Sequence, residues 1–276
     1  MLTSKDEWFT DEIARNLGYE ISQRLQGQFA TRTKNPSLRL SQMGPRCPKA
    51  LWASIHAPES AETLPAHAHV KFSFGHTIEA LAISLAKSAG HTVTGEQDVL
   101  EVDGVEGHRD CVIDGCIVDV KSAASRSFSK FKDGSLKETD YFGYLDQLDG
   151  YLVGSLDDPL VTVKDRAYLW AVDKQLGHMC LYEHRIRPQR IRDRIKLYKD
   201  IIALPEPPAC ECGVVPDGKS GNLKLDVKGS YSPYKYFCNP RLRCFLYSSG
   251  PVFLTHVVRQ PDVPEIDRHG KLVTFH

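Results

Sequence analysis

The 276-residue chain is 41% hydrophobic and 25% charged, the balance of an ordinary globular protein with room for one large domain and a smaller appended unit. Its 35 basic and 35 acidic residues cancel, so any nucleic-acid role has to rest on local clustering rather than on net charge. No apolar run approaches the roughly 18 residues a membrane span needs, and residues 1–12 are acidic without a signal peptide's apolar centre, so a cytoplasmic location is expected.

Trp8, Ile13, Leu17, Ile21 and Leu25 recur at a near-helical interval and predict an amphipathic helix over 8–26. A basic loop follows, with Arg32, Lys34, Arg39, Arg46 and Lys49 and no acid between them. Residues 57–69, containing Pro, Ala and His, read as loop. Phe74, Ile78, Leu81, Ala82 and Leu85 form one stripe that Gly90 ends, which predicts a helix over 70–89 with Glu79 at its middle. Residues 92–102 and then 105–113 and 116–121 read as strands, the last two joined by Asp114-Gly115, a strong hairpin signal.

Residues 125–137 read as a loop in which Arg126, Lys130 and Lys132 interleave with Phe128 and Phe131. That mixture suits a strand whose phosphates need neutralising and whose bases can stack, although a solvated loop is the plainer reading. Tyr144, Leu148, Tyr151 and Leu152 predict a helix over 141–156, on which Gln147 and Tyr151 share a face. Residues 166–172 and 178–184 alternate as two further strands, and 189–204 form a basic helix with Ile191, Ile195, Tyr198, Ile201 and Ile202 inward. Pro205, Pro207 and Pro208 then break the chain, and 213–225 read as turn-rich loop. The division expected is an N-terminal helical segment with the basic loop (1–69), a core (70–204) and a C-terminal extension packing on it (205–276).

The chemistry gathers in residues 107–122. Asp119 and Lys121, two apart on one strand, point to the same side, while Val118 and Val120 point into a core. Asp110 is expected on the neighbouring strand. Hard divalent ions take carboxylate oxygens, water and phosphate oxygens as ligands. Such an ion polarises a phosphate and lowers the pKa of bound water, and a nearby lysine can orient that water or stabilise developing charge. From these residues alone, an exposed hairpin with a surface ion pair is an equal reading.

Asp110 followed by Asp119-Val120-Lys121 resembles the core signature of the PD-(D/E)xK nuclease superfamily. Gly75-His76-Thr77-Ile78-Glu79 before it and Gln147-Leu148-Asp149-Gly150-Tyr151 after it resemble the helix motifs of the RecB-like exonuclease branch, and residues 41–52 resemble that branch's Cys-Pro-Arg segment. The resemblance implies an α/β nuclease core with a central mixed sheet flanked by helices, plus the N-terminal segment and C-terminal extension. It implies Glu79, Asp110, Asp119 and the Val120 carbonyl as ligands of Mg²⁺ or Mn²⁺, with Lys121 positioning or activating the attacking water. Gln147 and Tyr151 would hold the strand or the lysine, and Arg126 and Lys130 would add substrate contacts. Glu79 is preferred to His76 as the helix ligand, since a helix is not expected to offer both to one ion. The activity implied is a metal-dependent DNA exonuclease acting on single-stranded DNA or free ends, in viral or bacterial recombination, repair or replication. A structure-specific endonuclease and a non-cleaving DNA-end-binding module are the alternatives.

Eight cysteines, in a chain with no recognisable export signal, are not expected to form disulfides. Cys111, Cys116 and Cys180 fall within predicted strands and read as small core residues. Iron-sulfur relatives of the branch use one early cysteine and a late Cys-x-x-Cys-x-x-x-x-x-Cys run. With Cys238 in the last place, Gly229 and Ser232 occupy the other two, so the usual iron-sulfur cluster is not expected. Cys210-Glu211-Cys212 lacks the spacing of a zinc ribbon. A rearranged site using Cys47, Cys238 and one of Cys210, Cys212 or Cys244 stays open.

Overall fold

A computed structural model describes residues 36–62 and 66–273, with 66–70 described by their backbone. The helix expected over 8–26 and the start of the basic loop lie outside the described residues. In chain order these form α1 (Pro48–His56), α2 (Ala66–Ser88), β1 (Val93–Thr94), β2 (Val99–Val102), β3 (Val105–His108), β4 (Cys111–Ile113) and β5 (Cys116–Ala123). There follow α3 (Ser125–Lys132), α4 (Leu136–Thr139), α5 (Tyr144–Val153), β6 (Arg166–Asp173), β7 (Met179–Arg185) and α6 (Pro188–Ile202). The last part holds β8 (Val214–Pro216), β9 (Leu223–Leu225), α7 (Val227–Tyr231), α8 (Lys235–Cys238), β10 (Arg243–Tyr247), β11 (Gly250–His256) and β12 (Glu265–Ile266). Among the described residues, no helix is long and apolar enough to cross a membrane.

The chain divides into two compact units, one of Met1–Gly44 with Pro65–Arg192 and one of Pro45–Leu64 with Asp193–His276. This partition differs from the expected boundaries: the segment around α1 belongs with the C-terminal residues, and the break falls inside α6 rather than after it. A physical reason is visible within the second unit. Trp52 of α1 stacks on Phe237 of α8, ring centroids 6.4 Å apart, and its indole N–H donates to the Leu204 carbonyl at 2.9 Å.

The first unit is α/β. Its five-stranded sheet runs β1-β4-β5-β6-β7, with β5 and β6 parallel and every other neighbour antiparallel. A parallel pair needs a crossover, and α3, α4 and α5 supply it. Ala82 and Ile78 of α2 pack on Val120, Val172 and Trp170, and Ile83 packs on Cys111 and Val118. Val118 and Val120 therefore face α2, and alternation turns Asp119 and Lys121 to the other side, where Gln147 of α5 meets Asp119. Helices thus flank the sheet on both faces.

The run expected to be one strand over 105–113 is two. β3 pairs with β2 as a separate hairpin, and β4 pairs with β1 and β5. The break falls at Arg109-Asp110. Arg109 is fully buried, with its guanidinium on Asp98 at 2.7 Å and Asp158 at 2.6 Å, so its side chain is committed to an interior anchor. The turn between β4 and β5 is as expected: Asp114 and Gly115 take φ values of 49° and 79°, as a type I′ turn requires.

Residues 125–137, expected as loop, contain a helix. Phe128 and Phe131 lie three apart on the buried side of α3, against His178 and Tyr144, while Arg126 and Lys132 are exposed. The interleaving of basic and aromatic residues is thus the two faces of an amphipathic helix, and these two rings are core rather than base-stacking surfaces.

The second unit holds an antiparallel sheet, β12-β10-β11-β9-β8. Residues 213–225, expected as loop, close as the β8–β9 hairpin through Asp217 to Gly221, with Asn222 backing Val258 and Arg259 through its side-chain oxygen. Of the three cysteines expected in the core, Cys111 is buried while Cys116 and Cys180 are half-buried.

Candidate active site

Asp119 and Lys121 lie on β5, the central strand of the first unit, and the register that places Val120 beside Trp170 turns both toward α5. Their side chains form an ion pair, Lys121 Nζ to Asp119 Oδ2 at 2.5 Å, with Asp119 1% exposed and Lys121 18% exposed. The Lys121 ammonium also lies over the Tyr144 ring, 5.0 Å from its centroid. Asp110, immediately before β4, accepts the Val120 backbone N–H on Oδ2 at 2.8 Å, which ties the two strands at the site. Glu79, buried on α2, accepts from Gln97 Nε2 at 3.1 Å.

α5 completes the site. Gln147 Nε2 donates to Asp119 Oδ1 at 3.3 Å and to Tyr151 Oη at 2.6 Å, so the pair does share a face. The start of this helix is set by backbone contact. Gly143, at φ 76°, lies against Gly44 so closely that a Cβ on either would come within 2.6 Å of the other's Cα. Asp140 then accepts from the N–H groups of Gly143, Tyr144 and Leu145, satisfying donors that the first turn leaves orphaned.

The electrostatics follow from crowding. Burial first, then the charges of Asp119 and Glu79, push the Asp110 carboxyl well above the usual carboxylate range. Burial also raises Asp119, with Lys121 working against the rise and Glu79 adding to it. Burial would lower Lys121, but the Asp119 and Asp110 carboxylates outweigh it and hold the ammonium above its ordinary value. Burial, then Asp119, raises the Tyr151 phenol.

Asp119 and Asp110 thus act on one ammonium while Glu79 crowds both aspartates, an excess of negative charge that a hard divalent cation would relieve. Among the described residues, Asp119 Oδ2 is buried with no directed hydrogen bond, and the Lys121 amine is the cation paired with it. The donor chemistry fits Mg²⁺ or Mn²⁺. Each acid is nonetheless engaged by a protein donor. Among the described residues, the set of potential metal-ligand atoms that all lie within 4.8 Å of one another is a different one, Cys47, Cys210, Cys212 and Cys238.

Of the expected site residues, Glu79, Asp110, Asp119, Lys121, Gln147 and Tyr151 are linked by these contacts and fields. Arg126 is exposed on α3 and Lys130 lies over the Tyr141 ring at 5.2 Å. No hydrogen bond or ion pair among the described residues joins either to the acids. The expectation that His76 and Glu79 exclude one another needs correction: they are three apart, one turn of helix, and His76 Nδ1 lies 3.9 Å from Glu79 Oε2. Two residues were not anticipated. Gln97 bonds Glu79 through its side chain and the Asp110 carbonyl through its N–H at 3.2 Å, bridging two of the acids. It does so from a left-handed backbone, φ 58°, which no residue pattern announces. Tyr144, which roofs Lys121, lies one turn before Gln147 and was legible as a face-mate on α5.

No protein-family model matches the chain, and no curated protein matches it. Two solved structures similar to it are an alkaline exonuclease (LHK-Exo) from Laribacter hongkongensis and a phage-related exonuclease from Haemophilus somnus 129PT. The first is 15% identical with a TM-score of 0.43, covering 64% of this chain and 91% of that one. The second is 13% identical with a TM-score of 0.45, covering 61% of this chain and 94% of that one.

Proposed function

We propose that the chain is a metal-dependent DNA exonuclease that hydrolyses phosphodiester bonds. The observation that carries the reading is the Asp119–Lys121 pair on β5, an ammonium held 2.5 Å from a buried carboxylate beside two further acids. Asp110, Asp119, Glu79 and the Val120 carbonyl would hold Mg²⁺ or Mn²⁺, which when bound polarises the scissile phosphate and acidifies water. Lys121, held protonated by its neighbours, serves as a donor: it orients the attacking water and meets charge developing on the phosphate. An ammonium cannot accept the water's proton, so Lys121 orients the water and the proton passes to a carboxylate of the site or to solvent. Gln147 restrains Asp119 and, through Tyr151, fixes the orientation of that side of the site.

Strand binding falls to a different pair of rings from those expected. Tyr141 and Phe142 are exposed just before α5; Phe142 stacks on Tyr144 at 5.7 Å and Lys130 caps Tyr141. Exposed rings beside a cation suit base stacking and phosphate neutralisation, and Arg126 adds a second cation on α3. Processing of DNA ends in recombination, repair or replication is the setting such an activity serves.

The experiment is digestion of linear and circular DNA, single- and double-stranded, with Mg²⁺ or Mn²⁺ and with chelator. Linear substrate is expected to be degraded from its ends only with metal, and Lys121→Ala to lose about 10²–10³-fold in rate. Cutting of circular single strands would establish an endonuclease instead, and binding without any cutting would establish an end-binding module.

A further inference from the structure

Four cysteines, Cys47, Cys210, Cys212 and Cys238, belong to the second unit, whereas the acidic residues belong to the first, and the cysteines have no part in the reading above. Cys47 precedes α1, Cys210 and Cys212 lie on the segment after Pro208, and Cys238 ends α8. Their sulfur atoms all fall within 4.8 Å of one another, with Cys47 Sγ at 3.9 Å from both Cys210 Sγ and Cys238 Sγ. All four are free thiols.

We propose that Cys47, Cys210, Cys212 and Cys238 bind a single tetrahedral Zn²⁺ ion that fastens the two stretches of the second unit together. The spacing decides between metal chemistries. A Zn–S distance of about 2.3 Å places tetrahedral sulfurs about 3.8 Å apart, which the Cys47 distances match. An iron-sulfur cluster interposes its own irons and sulfides between the ligand sulfurs and spreads them wider. The late run in which such clusters find their ligands is also unsuited here. Gly229 has no side chain and is buried where its N–H donates to Asp226, and Ser232 offers a hydroxyl. That run lacks two of the thiols a cluster would need, and the Cys210-Glu211-Cys212 segment brings two to Cys47 and Cys238.

The surroundings fit thiolates. Cys47 is the residue that precedes the first turn of α1, whose unpaired N–H groups favour negative charge. The Glu211 N–H donates to Cys47 Sγ at 3.3 Å and the Cys212 N–H to Cys210 Sγ at 3.4 Å. Cys47 and Cys210 are 163 positions apart, so one ion would close a very long loop of chain. Soft thiolates select zinc, whereas the hard carboxylates of the acidic site select Mg²⁺ or Mn²⁺, so the two metal requirements are separable.

The test is metal analysis of the full chain, purified both in air and under anaerobic conditions, with zinc, iron and acid-labile sulfide measured together. About one zinc per chain without iron or sulfide is expected, lost in Cys47→Ser and in Cys212→Ser and retained in Cys244→Ser and in the Asp110→Asn/Asp119→Asn double variant. Replacement by Co²⁺ should give the intense visible bands of a tetrahedral thiolate site. Should the serine variants fail to fold, thiol titration of the unaltered protein decides: a mercurial reagent should release zinc in step with four protected thiols. Iron with labile sulfide, four freely reactive thiols with no metal, or zinc that survives the Cys47 and Cys212 substitutions would each overturn the proposal.

Discussion

Arg109 and Asp110 are neighbours in sequence and sit in opposite kinds of charge cluster. Arg109 is fully buried, yet Asp98 and Asp158 meet its guanidinium, the Gly95 carbonyl accepts its Nε–H at 3.1 Å, and Ser155 Oγ lies 3.3 Å from Nη1. Each guanidinium nitrogen has a partner, and the packing is close enough that a Cβ on Gly95 would come 2.4 Å from Nη2. Asp110 belongs to the reverse arrangement, three neighbouring acids with one lysine, in which Asp119 and Glu79 raise the pKa of Asp110 and Glu79 adds to that of Asp119. A saturated cluster holds the fold in place. A cluster with surplus charge of one sign costs stability unless a ligand balances it, and that imbalance marks it as a site for chemistry.

The sharpest way to separate the two is to remove charge from each. Asp119→Asn keeps the shape and takes a negative charge out of the surplus. Its rate of DNA hydrolysis should fall on the order of 10⁴-fold, while its unfolding midpoint in urea stays level or rises. Comparable activity in this variant would remove Asp119 from the mechanism. Arg109→Met is the converse. It strands Asp98 and Asp158 and should cost about 3 kcal/mol in unfolding free energy, the lower end for a broken buried pair because Asp98 remains half-exposed. A melting temperature unchanged from the parent would show that the anchor is ornamental.

Much of this contrast could be read in the residues and some could not. Asp114-Gly115 announces the β4–β5 turn, the alternation of Val118, Asp119, Val120 and Lys121 assigns their faces, and the i,i+4 spacing of Gln147 and Tyr151 puts them together; all three are local rules, and local rules were enough. The break at Arg109 was hidden, because Val105 to Ile113 is β-branched enough to read as one strand and the buried anchor depends on Asp158, far along the chain. α3 was hidden for another reason: only Phe128 and Phe131 mark its buried side, and two rings three apart among serines and lysines are too short a period to distinguish from a loop. Gln97 is a consequence of tertiary structure, its partner 18 positions away; among the cysteines, Cys47 and Cys238 with a third were open to view in the sequence, while the joining of both Cys210 and Cys212 depends on contacts as far as 163 positions apart.

The same contrast predicts opposite pH dependences. Asp110 and Asp119 have folded-state pKa values raised above the ordinary value of about 4 by burial and by repulsion from neighbouring acids, Asp119 and Glu79 for Asp110 and Glu79 for Asp119. Their contribution to stability is therefore fully present below pH about 4 and is lost as pH rises through the raised values. Asp158 runs the other way. Burial works against its ionised form, but the Leu160 N–H and the Arg109 guanidinium hold its pKa below the ordinary value, so its contribution is present above about pH 4 and lost as pH falls through the depressed value. Metal-free protein should thus lose stability as pH is raised from 4 toward neutrality, Asp110→Asn should flatten that loss, and Arg109→Met should leave it in place while removing part of the acid-side decline. Added Mg²⁺ or Mn²⁺ should restore stability at neutral pH by about 2.7 kcal/mol at a hundredfold excess over Kd, and should do so for the parent but not for Asp110→Asn. Urea titrations at a series of pH values, with chelator or with metal, measure each of these. If the metal-free parent were most stable at neutral pH and indifferent to Mg²⁺, the surplus of negative charge would not be the strain it is taken for, and the acids around Lys121 would be as balanced as those around Arg109.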